Sequence, residues 1–209
     1  PYTTLFRSDE EIYSAFDRIF NCRGHGWSNL QSCHLNLPFC GDEEFRRLHS
    51  AIRLTLPLIP ALTAASPIVD GQVTGLLDFR LRAYAENCAR FPSISARLVP
   101  DVIRSEAEYI DKVYQPITAD LAELDPEGVL EPVWVNARGA IARFDRGTIE
   151  IRVIDTQECP SQDIALLQSI VALLRWLVQE APSSLHTQEA VPTDSLADLL
   201  AQTMRDGME

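Results

Sequence analysis

The chain has 209 residues, a hydrophobic fraction of 46% and a formal net charge of −12 at pH 7. This composition predicts a folded globular protein with one large core or two small ones, and it argues against an intrinsically disordered chain. The acidic balance also argues against nucleic acid or an anionic membrane as partner, because both attract proteins with a positive surface potential.

The cysteines and the start of the chain add further expectations. The five cysteines are odd in number and irregularly spaced, which favours reduced thiols. We find no secretory leader and no long membrane-spanning run, so we expect a cytoplasmic protein. Residues 1–8, PYTTLFRS, are similar to a translated sequencing adapter and are interpreted as a fusion scar, which predicts that the chain is the carboxy-terminal part of a longer protein. The sequence leaves the oligomeric state open, including a homo-oligomer.

The first half of the chain alternates helical and extended patterns. Helical spacing of apolar residues predicts a helix over 9–20, followed by a glycine-rich turn and a strand over 32–39. A second helix is expected to start with Asp42 as its cap and to end at Pro57. After a proline-rich stretch, residues 69–75, VDGQVTG, predict a loop.

The second half begins with a helical pattern over 101–123. Two strands are predicted next, over 132–144 and 148–155, and the tripeptide DRG between them favours a tight connection of antiparallel neighbours. Because helices and strands interleave without a regular βαβ rhythm, we predict the α+β class with an antiparallel sheet and helices packed on its outer face.

The carboxy-terminal region is helical in pattern. The run IALLQSIVALLRWLV is apolar on nearly every side, which predicts a helix buried between the sheet and another layer. A linker is predicted over 182–193, and the terminal amphipathic helix SLADLLAQTM is expected to stop at Gly207.

Three apolar segments contain pairs of polar residues two positions apart. In a strand such residues share one face, while the apolar neighbours cover the other. Polar groups in strands this apolar are costly unless they meet one another, a metal or a ligand, so their face is a candidate active site. The pairs are His34 and Asn36, Asn136 and Arg138, and Glu150 and Arg152.

Each pair has a functional and a structural interpretation. Glu150 can bind a divalent cation while Arg152 holds a phosphate or carboxylate, but the two can equally form a salt bridge. A strand histidine such as His34 is more often a hydrogen-bonded core residue than a ligand. Asn136 and Arg138 offer the donors that orient an anionic substrate.

Other site types have weaker support. A zinc site would draw on one cysteine- and histidine-rich stretch, in which only Cys22 and His25 have knuckle-like spacing. Its remaining members are Cys33, His34 and Cys40. The glycines fit neither a P-loop nor a dinucleotide-binding motif.

The loop around VDGQVTG is a further candidate. It could close on a ligand, with Arg80 as the anion contact, or it could simply be a turn-rich connection. Its candidate residues are Asp70, Gly71, Thr74, Gly75 and Arg80.

Three blocks of the chain resemble a known family. SNLQSCHLNLPF, LPLIPALTAASPIVDGQVTGLLDFR and NARGAIARFDRGTIEIRVIDTQECP, in this order, are similar to the carboxy-terminal half of the glutamate–cysteine ligase family that includes the bacterial carboxylate–amine ligases. The similarity covers roughly residues 27–180. Its last block, with a Glu-x-Arg strand followed by Asp155, is the most specific.

The resemblance implies a fold, a reaction and a domain plan. The fold would be glutamine-synthetase-like, with an antiparallel sheet curved into a funnel, and 9–181 would be the carboxy-terminal part of one catalytic domain followed by the linker and terminal helix at 182–209. The reaction would be ATP-dependent: an amino-acid carboxylate is activated as an acyl phosphate and attacked by an amine, with Mg²⁺ neutralising the phosphates.

The resemblance also implies roles for single residues. Glu150 and His34 would face the metal, and Arg152 would contact the transferring phosphoryl group. Arg80 would hold the substrate carboxylate or phosphate, with Arg138 nearby. The nucleotide contacts would be His34, Asn36, Asn136 and Arg152.

One family feature is missing from this sequence. The first metal-binding strand of the family, with a Glu-x-Glu motif, has no counterpart here, so the chain alone is expected to be inactive. The alternatives are a non-catalytic small-molecule or nucleotide-binding protein that keeps the ligase fold, and a zinc-stabilised interaction module.

Overall fold

A computed structural model describes residues 10–22 and 30–209. The predicted glycine-rich turn at Gly24 and Gly26 lies outside these residues, as does His25. In chain order the elements are α1 (Glu10–Phe20), β1 (Ser32–Pro38), α2 (Gly41–Thr55), α3 (Ile59–Thr63), β2 (Ile68–Val69), β3 (Gln72–Val73), α4 (Phe79–Asn87), α5 (Pro92–Ser95), α6 (Glu106–Tyr109), α7 (Gln115–Leu121), α8 (Pro132–Val135), β4 (Ala140–Arg143), β5 (Thr148–Asp155), α9 (Pro160–Val178), α10 (Leu185–Glu189) and α11 (Thr193–Asp206).

The main sheet has three antiparallel strands in the order β1-β5-β4, so the predicted α+β class is confirmed. The β4–β5 connection is the predicted tight one, with Gly147 in the left-handed conformation at φ 59°. In the central strand, Glu150 pairs with Asn36 on one side and with Ile141 on the other. Residues at these positions therefore share one face of the sheet.

The other face of the sheet is part of the hydrophobic core. Ile149, Ile151 and Val153 of β5 are fully buried there, and the core continues into α2 through Phe45 and Ile52. This is the apolar side that the period-2 pattern predicts. The sheet thus places its hydrophobic residues towards the helices and leaves the opposite face for polar side chains.

The outer edge of β4 is covered by two tyrosine hydroxyls. The amide of Ala142 donates to the Tyr109 hydroxyl at 3.2 Å, and Tyr114 donates to the Ala142 carbonyl at 3.2 Å. Tyr109 is the last residue of α6, and Tyr114 ends the π-helical turn Ile110–Tyr114 that links α6 to α7. These bonds satisfy backbone groups that an edge strand would otherwise leave unpaired.

The strand predicted over 132–144 is wrong in its first half. Pro132–Val135 forms one helical turn, in which the Asn136 amide donates to the Pro132 carbonyl at 2.9 Å, and the strand begins only at Ala140. Proline has no amide hydrogen and a fixed φ, so it suits the first position of a helix. Asn136 and Arg138 therefore lie in the connection before β4 and not on a strand.

Two predicted helix starts also need correction. Asp42 does not cap α2, since the cap residue is Cys40, and the Asp42 carboxylate instead accepts a hydrogen bond from the Glu106 amide at 3.0 Å. The helical stretch predicted from residue 101 begins at Glu106, because Ser105 caps it by accepting from the Glu108 amide.

Helix α9 is less buried than its sequence predicts. Its buried residues are Ile170, Leu174 and Leu177, whereas Ile164 and Trp176 remain 55% and 52% exposed in the described part of the chain. The prediction of a helix covered on both sides is therefore wrong here. Its length and mean hydropathy of 1.2 also reach the minimum for a membrane span, a criterion that core helices of globular proteins satisfy too. The predicted absence of a membrane partner stays a prediction.

The carboxy-terminal region follows its predicted pattern in part. The expected terminal helix is present as α11 and ends before Gly207, where φ is 66°. The region predicted as a linker over 182–193 is not free of structure, because it contains the short helix α10, which Ser184 caps.

Candidate functional site

Glu150, at the centre of the polar face of the sheet, contacts two cationic or hydrogen-bonding partners from the predicted pairs. Its Oε1 lies 2.9 Å from His34 Nδ1 and accepts a hydrogen bond from Arg152 Nε at 2.9 Å. Glu150 is 7% exposed, whereas His34 is open to solvent and its Nε2 contacts the Ser32 hydroxyl at 2.7 Å. Two of the three predicted pairs thus meet at one carboxylate.

Asn36 lies on the same face, directly opposite Glu150 in the β1–β5 register. Its side chain is exposed, at the solvent side of the Glu150 contacts. The structure therefore brings Asn36 to the site as a peripheral polar residue.

Arg143 is a site residue that the sequence reasoning missed. Its Nη1 lies 3.7 Å from Glu150 Oε2, and its Nε is buried without a hydrogen bond, 3.6 Å from Asp145 Oδ1. The pattern AIAR has no polar–apolar alternation that would point to Arg143. The register of a hairpin closed by the DRG turn could have indicated Arg143. In that register Arg143 pairs with Thr148, which lies two residues before Glu150 and therefore on the same face of the sheet.

These partners keep Glu150 ionised. The hydrogen bond from His34 lowers the pKa of Glu150 to about 2, against the effect of burial, and Arg152 acts in the same direction as His34. The Glu150 carboxylate is therefore charged throughout the physiological range, and its neighbours are held around it by charge-assisted hydrogen bonds.

Asn136 and Arg138 are not part of this polar face. Asn136 donates to the Tyr109 hydroxyl at 2.8 Å, and Arg138 Nη1 donates to the Ser93 carbonyl at 2.8 Å. Arg138 also contacts the Asn136 side-chain oxygen at 3.2 Å, and burial lowers the pKa of Arg138. The geometry gives the pair a structural environment: it supports the tyrosine that covers the β4 edge.

Arg80 is buried at the start of α4 and is bound to carboxylates. Its Nε donates to Asp155, and its Nη2 lies 4.0 Å from Asp78 Oδ2. The neighbouring loop candidates form the short β2–β3 hairpin, in which Asp70 and Gly71 take positive φ values at the turn. Arg80 therefore contacts the end of β5, and the closure of the hairpin on a ligand stays a prediction.

The side chains on the polar face can be compared with the needs of the Mg²⁺ ion and the ATP phosphates that the resemblance implies. Within 10–22 and 30–209, no three potential metal-ligating side chains come together, and Cys33, Cys40 and His34 do not form a zinc site. Among the described residues, Glu150 is the carboxylate that two arginines and the imidazole of His34 contact on the polar face. This arrangement fits a phosphate group and does not fit a complete Mg²⁺ site.

Comparisons with known proteins agree with the resemblance. The family model of glutamate–cysteine ligase family 2 matches residues 5–209. An uncharacterised protein of Archaeoglobus fulgidus is 40% identical over 96% of this chain and 52% of its own length. A Salinispora arenicola protein named "Putative glutamate–cysteine ligase 2" is 30% identical over 88% of this chain and 43% of its own length. Its namesake in Salinispora tropica is 32% identical over 81% of this chain and 40% of its own length. The chain spans about half the length of these relatives.

Proposed function

Because the chain belongs to glutamate–cysteine ligase family 2, we propose that it forms the phosphate-binding part of an ATP-dependent carboxylate–amine ligase. In this proposal the whole protein joins the carboxylate of an amino acid to an amine, through an acyl phosphate. The donor carboxylate and the amine are small molecules whose identities depend on residues beyond this face of the sheet.

One observation supports the proposal beyond the family relationship. His34, Arg143 and Arg152 surround the buried carboxylate of Glu150. Arg152 donates from Nε to Glu150, and its side chain remains 19% exposed beside that carboxylate. Guanidinium groups with donors of this kind are well suited to phosphate oxygens.

The proposal gives each group at this site a separate role. ATP supplies the phosphoryl group that activates a carboxylate, a reaction whose catalysis consists mainly of positioning and charge stabilisation. Arg152 and Arg143 supply positive charge from two neighbouring strands, and Glu150 orients both. His34 and Asn36 present polar atoms at the solvent side of the face.

Mg²⁺ is proposed only for the whole protein. The described residues offer a single carboxylate here, so the remaining ligands would have to come from other residues. For the same reason we expect this chain alone to bind ATP phosphates without catalysing ligation.

Calorimetric titration of this chain with ATP tests the phosphate site. Replacing Arg152 or Arg143 by glutamine is expected to weaken binding by about tenfold or more, because each change removes a charge-assisted contact. Arg97→Gln is the matched control, since Arg97 is exposed and pairs with Asp194 at 3.2 Å. Equal affinity of Arg152→Gln and the unaltered chain would contradict the proposal.

The second candidate is a non-catalytic nucleotide-binding protein that keeps the fold, and the single carboxylate on the polar face favours it. A screen for ADP release across amino acids and amines, with the longer protein that contains this chain, separates the two. Release that depends on both substrates and is lost in Glu150→Gln supports the ligase. ATP binding with no release under any substrate pair supports the binding protein.

A further inference from the structure

The hairpin end of the polar face carries a threonine beside Arg143. Thr148 is the first residue of β5 and lies two positions before Glu150, so its side chain is on the same face of the sheet. Its neighbours across the sheet are Arg143 on β4 and Pro38 on β1. The side chain of Pro38 has no polar atom, so of these two neighbours only Arg143 can meet the Thr148 hydroxyl.

Thr148 and Arg143 each have an unpaired polar atom. The Thr148 hydroxyl and the Arg143 Nε are both buried and have no hydrogen-bond partner in the described structure. Arg143 is 9% exposed, and its contacts with carboxylates, 3.7 Å from Nη1 to Glu150 and 3.6 Å from Nε to Asp145, are longer than hydrogen bonds. Two buried donors at paired positions are unfavourable unless another group accepts from them.

The two arginines of the polar face contact opposite oxygens of one carboxylate. Arg152 donates to Glu150 Oε1 at 2.9 Å, whereas Arg143 lies 3.7 Å from Glu150 Oε2. The face therefore has two cationic groups with Glu150 between them, and a ligand with two linked phosphate groups can contact both. Asp145, the other carboxylate beside Arg143, is 59% exposed, so solvent can replace its contact with the guanidinium.

We propose that Arg143 and Thr148 form a second anion-binding subsite, so that the polar face binds a diphosphate unit with one phosphate group at Arg152 and the other at this subsite. When the ligand binds, the Arg143 side chain turns from its long carboxylate contacts towards the phosphate and uncovers the Thr148 hydroxyl. The phosphate oxygens then accept from the two donors that the unliganded chain leaves unpaired. This inference rests on the proposed phosphate site and adds that the site recognises linked phosphate groups.

Calorimetric titrations of this chain with inorganic phosphate and with inorganic pyrophosphate, in buffer free of divalent cations, test the second subsite. The unaltered chain should bind pyrophosphate about tenfold more tightly, because only pyrophosphate reaches both subsites. Thr148→Val keeps the branched shape and removes the hydroxyl, and we expect it to reduce this ratio of affinities by about threefold or more. Thr148→Ser restores a hydroxyl and should keep the ratio. Thr118→Val is the matched control, because Thr118 is exposed and its hydroxyl donates to the Tyr114 carbonyl at 3.0 Å.

Thermal unfolding separates ligand binding from a structural role of the hydroxyl. Valine has no hydroxyl to leave unpaired and is well suited to a strand, so Thr148→Val should unfold at the same temperature as the unaltered chain or at a higher one. A lower unfolding temperature together with an unchanged ratio would show that the hydroxyl is structural and would overturn the proposal. If Thr148→Val does not fold, Arg143→Lys decides by the same ratio, because lysine keeps the charge and lacks the guanidinium donors.

The second subsite and the proposed ligase function fail in different ways. An unchanged ratio in folded Thr148→Val overturns the subsite, even if Arg152→Gln weakens ATP binding as the proposed function requires. A ratio that falls in Thr148→Val supports the subsite, and if the longer protein then releases no ADP with any pair of substrates, the ligase function is contradicted instead. Failure of the unaltered chain to bind either anion contradicts both.

Discussion

Glu150 stabilises the polar face because it is the common partner of Arg143, Arg152 and the imidazole of His34. Its pKa of about 2 lies below the ordinary value of 4.5, so ionised Glu150 contributes stability above pH 4.5, and that contribution is lost as the pH falls towards 2. Glu150→Gln should therefore cost about 1–3 kcal/mol at pH 7, since it leaves Arg143 and Arg152 without their carboxylate.

Urea denaturation at pH 7 and at pH 3 measures this effect. The difference between Glu150→Gln and the unaltered chain should be large at pH 7 and smaller at pH 3. Glu86→Gln is the control, because Glu86 forms an exposed helical pair with Arg82. A difference that does not shrink at low pH would mean that the charge of Glu150 is not what stabilises the site.

Unlike Glu150, His49 is a buried titratable group without a hydrogen-bond partner in the described structure. Among the described residues, both ring nitrogens lack hydrogen-bond partners, and the ring packs on Phe45 with the ring centroids 5.1 Å apart. Burial, assisted by the charges of Arg53 and Arg138, lowers the pKa of His49 to about 3. Only the unfolded chain takes up this proton between pH 6.5 and pH 3, so stability is lost as the pH falls through that range.

His49→Phe removes this acid sensitivity while keeping an aromatic ring. Between pH 7 and pH 5, the free energy of unfolding should decrease by about 1–2 kcal/mol less in the variant than in the unaltered chain. The free energy of unfolding at the two pH values checks this, with His186→Gln as an exposed control. Parallel pH profiles for His49→Phe and the unaltered chain would contradict the assignment.

Among the elements, β4 depends on side chains from outside the sheet. The Tyr109 hydroxyl accepts from the Ala142 amide and from the Asn136 side chain, whereas in the described structure the Tyr114 hydroxyl bonds only to the Ala142 carbonyl. We expect Tyr109→Phe to destabilise the chain by about 1–3 kcal/mol, because it leaves a buried amide hydrogen unpaired.

Tyr114→Phe is the matched comparison for the same strand edge. Tyr114→Phe should lower the free energy of unfolding by less than Tyr109→Phe does, because losing one hydrogen bond is less unfavourable for a carbonyl oxygen than for a buried amide hydrogen. Hydrogen exchange of the Ala142 amide gives a local readout and should accelerate in Tyr109→Phe. Similar destabilisation by both changes, with unaltered exchange at Ala142, would contradict this account of the edge.

The elements differ in how far their sequence determines them. Alternation within β1 and β5 was sufficient to predict both strands and the shared face of His34 and Glu150, because polar and apolar residues there follow period 2. The run VWV after Pro132 is apolar throughout, so periodicity cannot separate a strand from a buried helical turn. The extent of burial of α9 depends on its neighbours, which no local pattern contains.

At the scale of the whole molecule, two clusters of buried charge in the described residues are joined by β5. One is the Glu150 site, where cations exceed carboxylates, and the other joins Arg80 with Asp78 and Asp155, where carboxylates exceed cations. The residue pairs of the sequence predicted the first in part, since they indicated His34 and Arg152 beside Glu150 but not Arg143. The sequence could not predict the second, because Asp78 and Asp155 are far apart in the chain and only the docking of α4 brings them together.

The excess of carboxylates in the second cluster makes the stability of the chain depend on pH in a different way from the Glu150 site. Burial, followed by the charge of Asp155, raises the pKa of Asp78 from 3.8 to about 7, and Asp78 Oδ2 has no hydrogen bond in the described structure. Because the folded-state pKa is raised, the contribution of Asp78 to stability is fully present below pH 3.8 and is lost as the pH rises through about 7.

Asp78→Asn should therefore stabilise the chain at pH 8 by about 1–2 kcal/mol, and the gain should disappear near pH 4. The amide oxygen of asparagine can still accept from the Leu81 amide, so the cap of α4 is retained. Asp111→Asn is an exposed control and should show no such trend. Since His49 and Glu150 lose stability towards acid while Asp78 loses it towards base, the unaltered chain should be most stable at mildly acidic pH. A stability gain of Asp78→Asn that is equal at pH 4 and pH 8 would show that ionisation of this carboxyl does not set the basic limb of the profile.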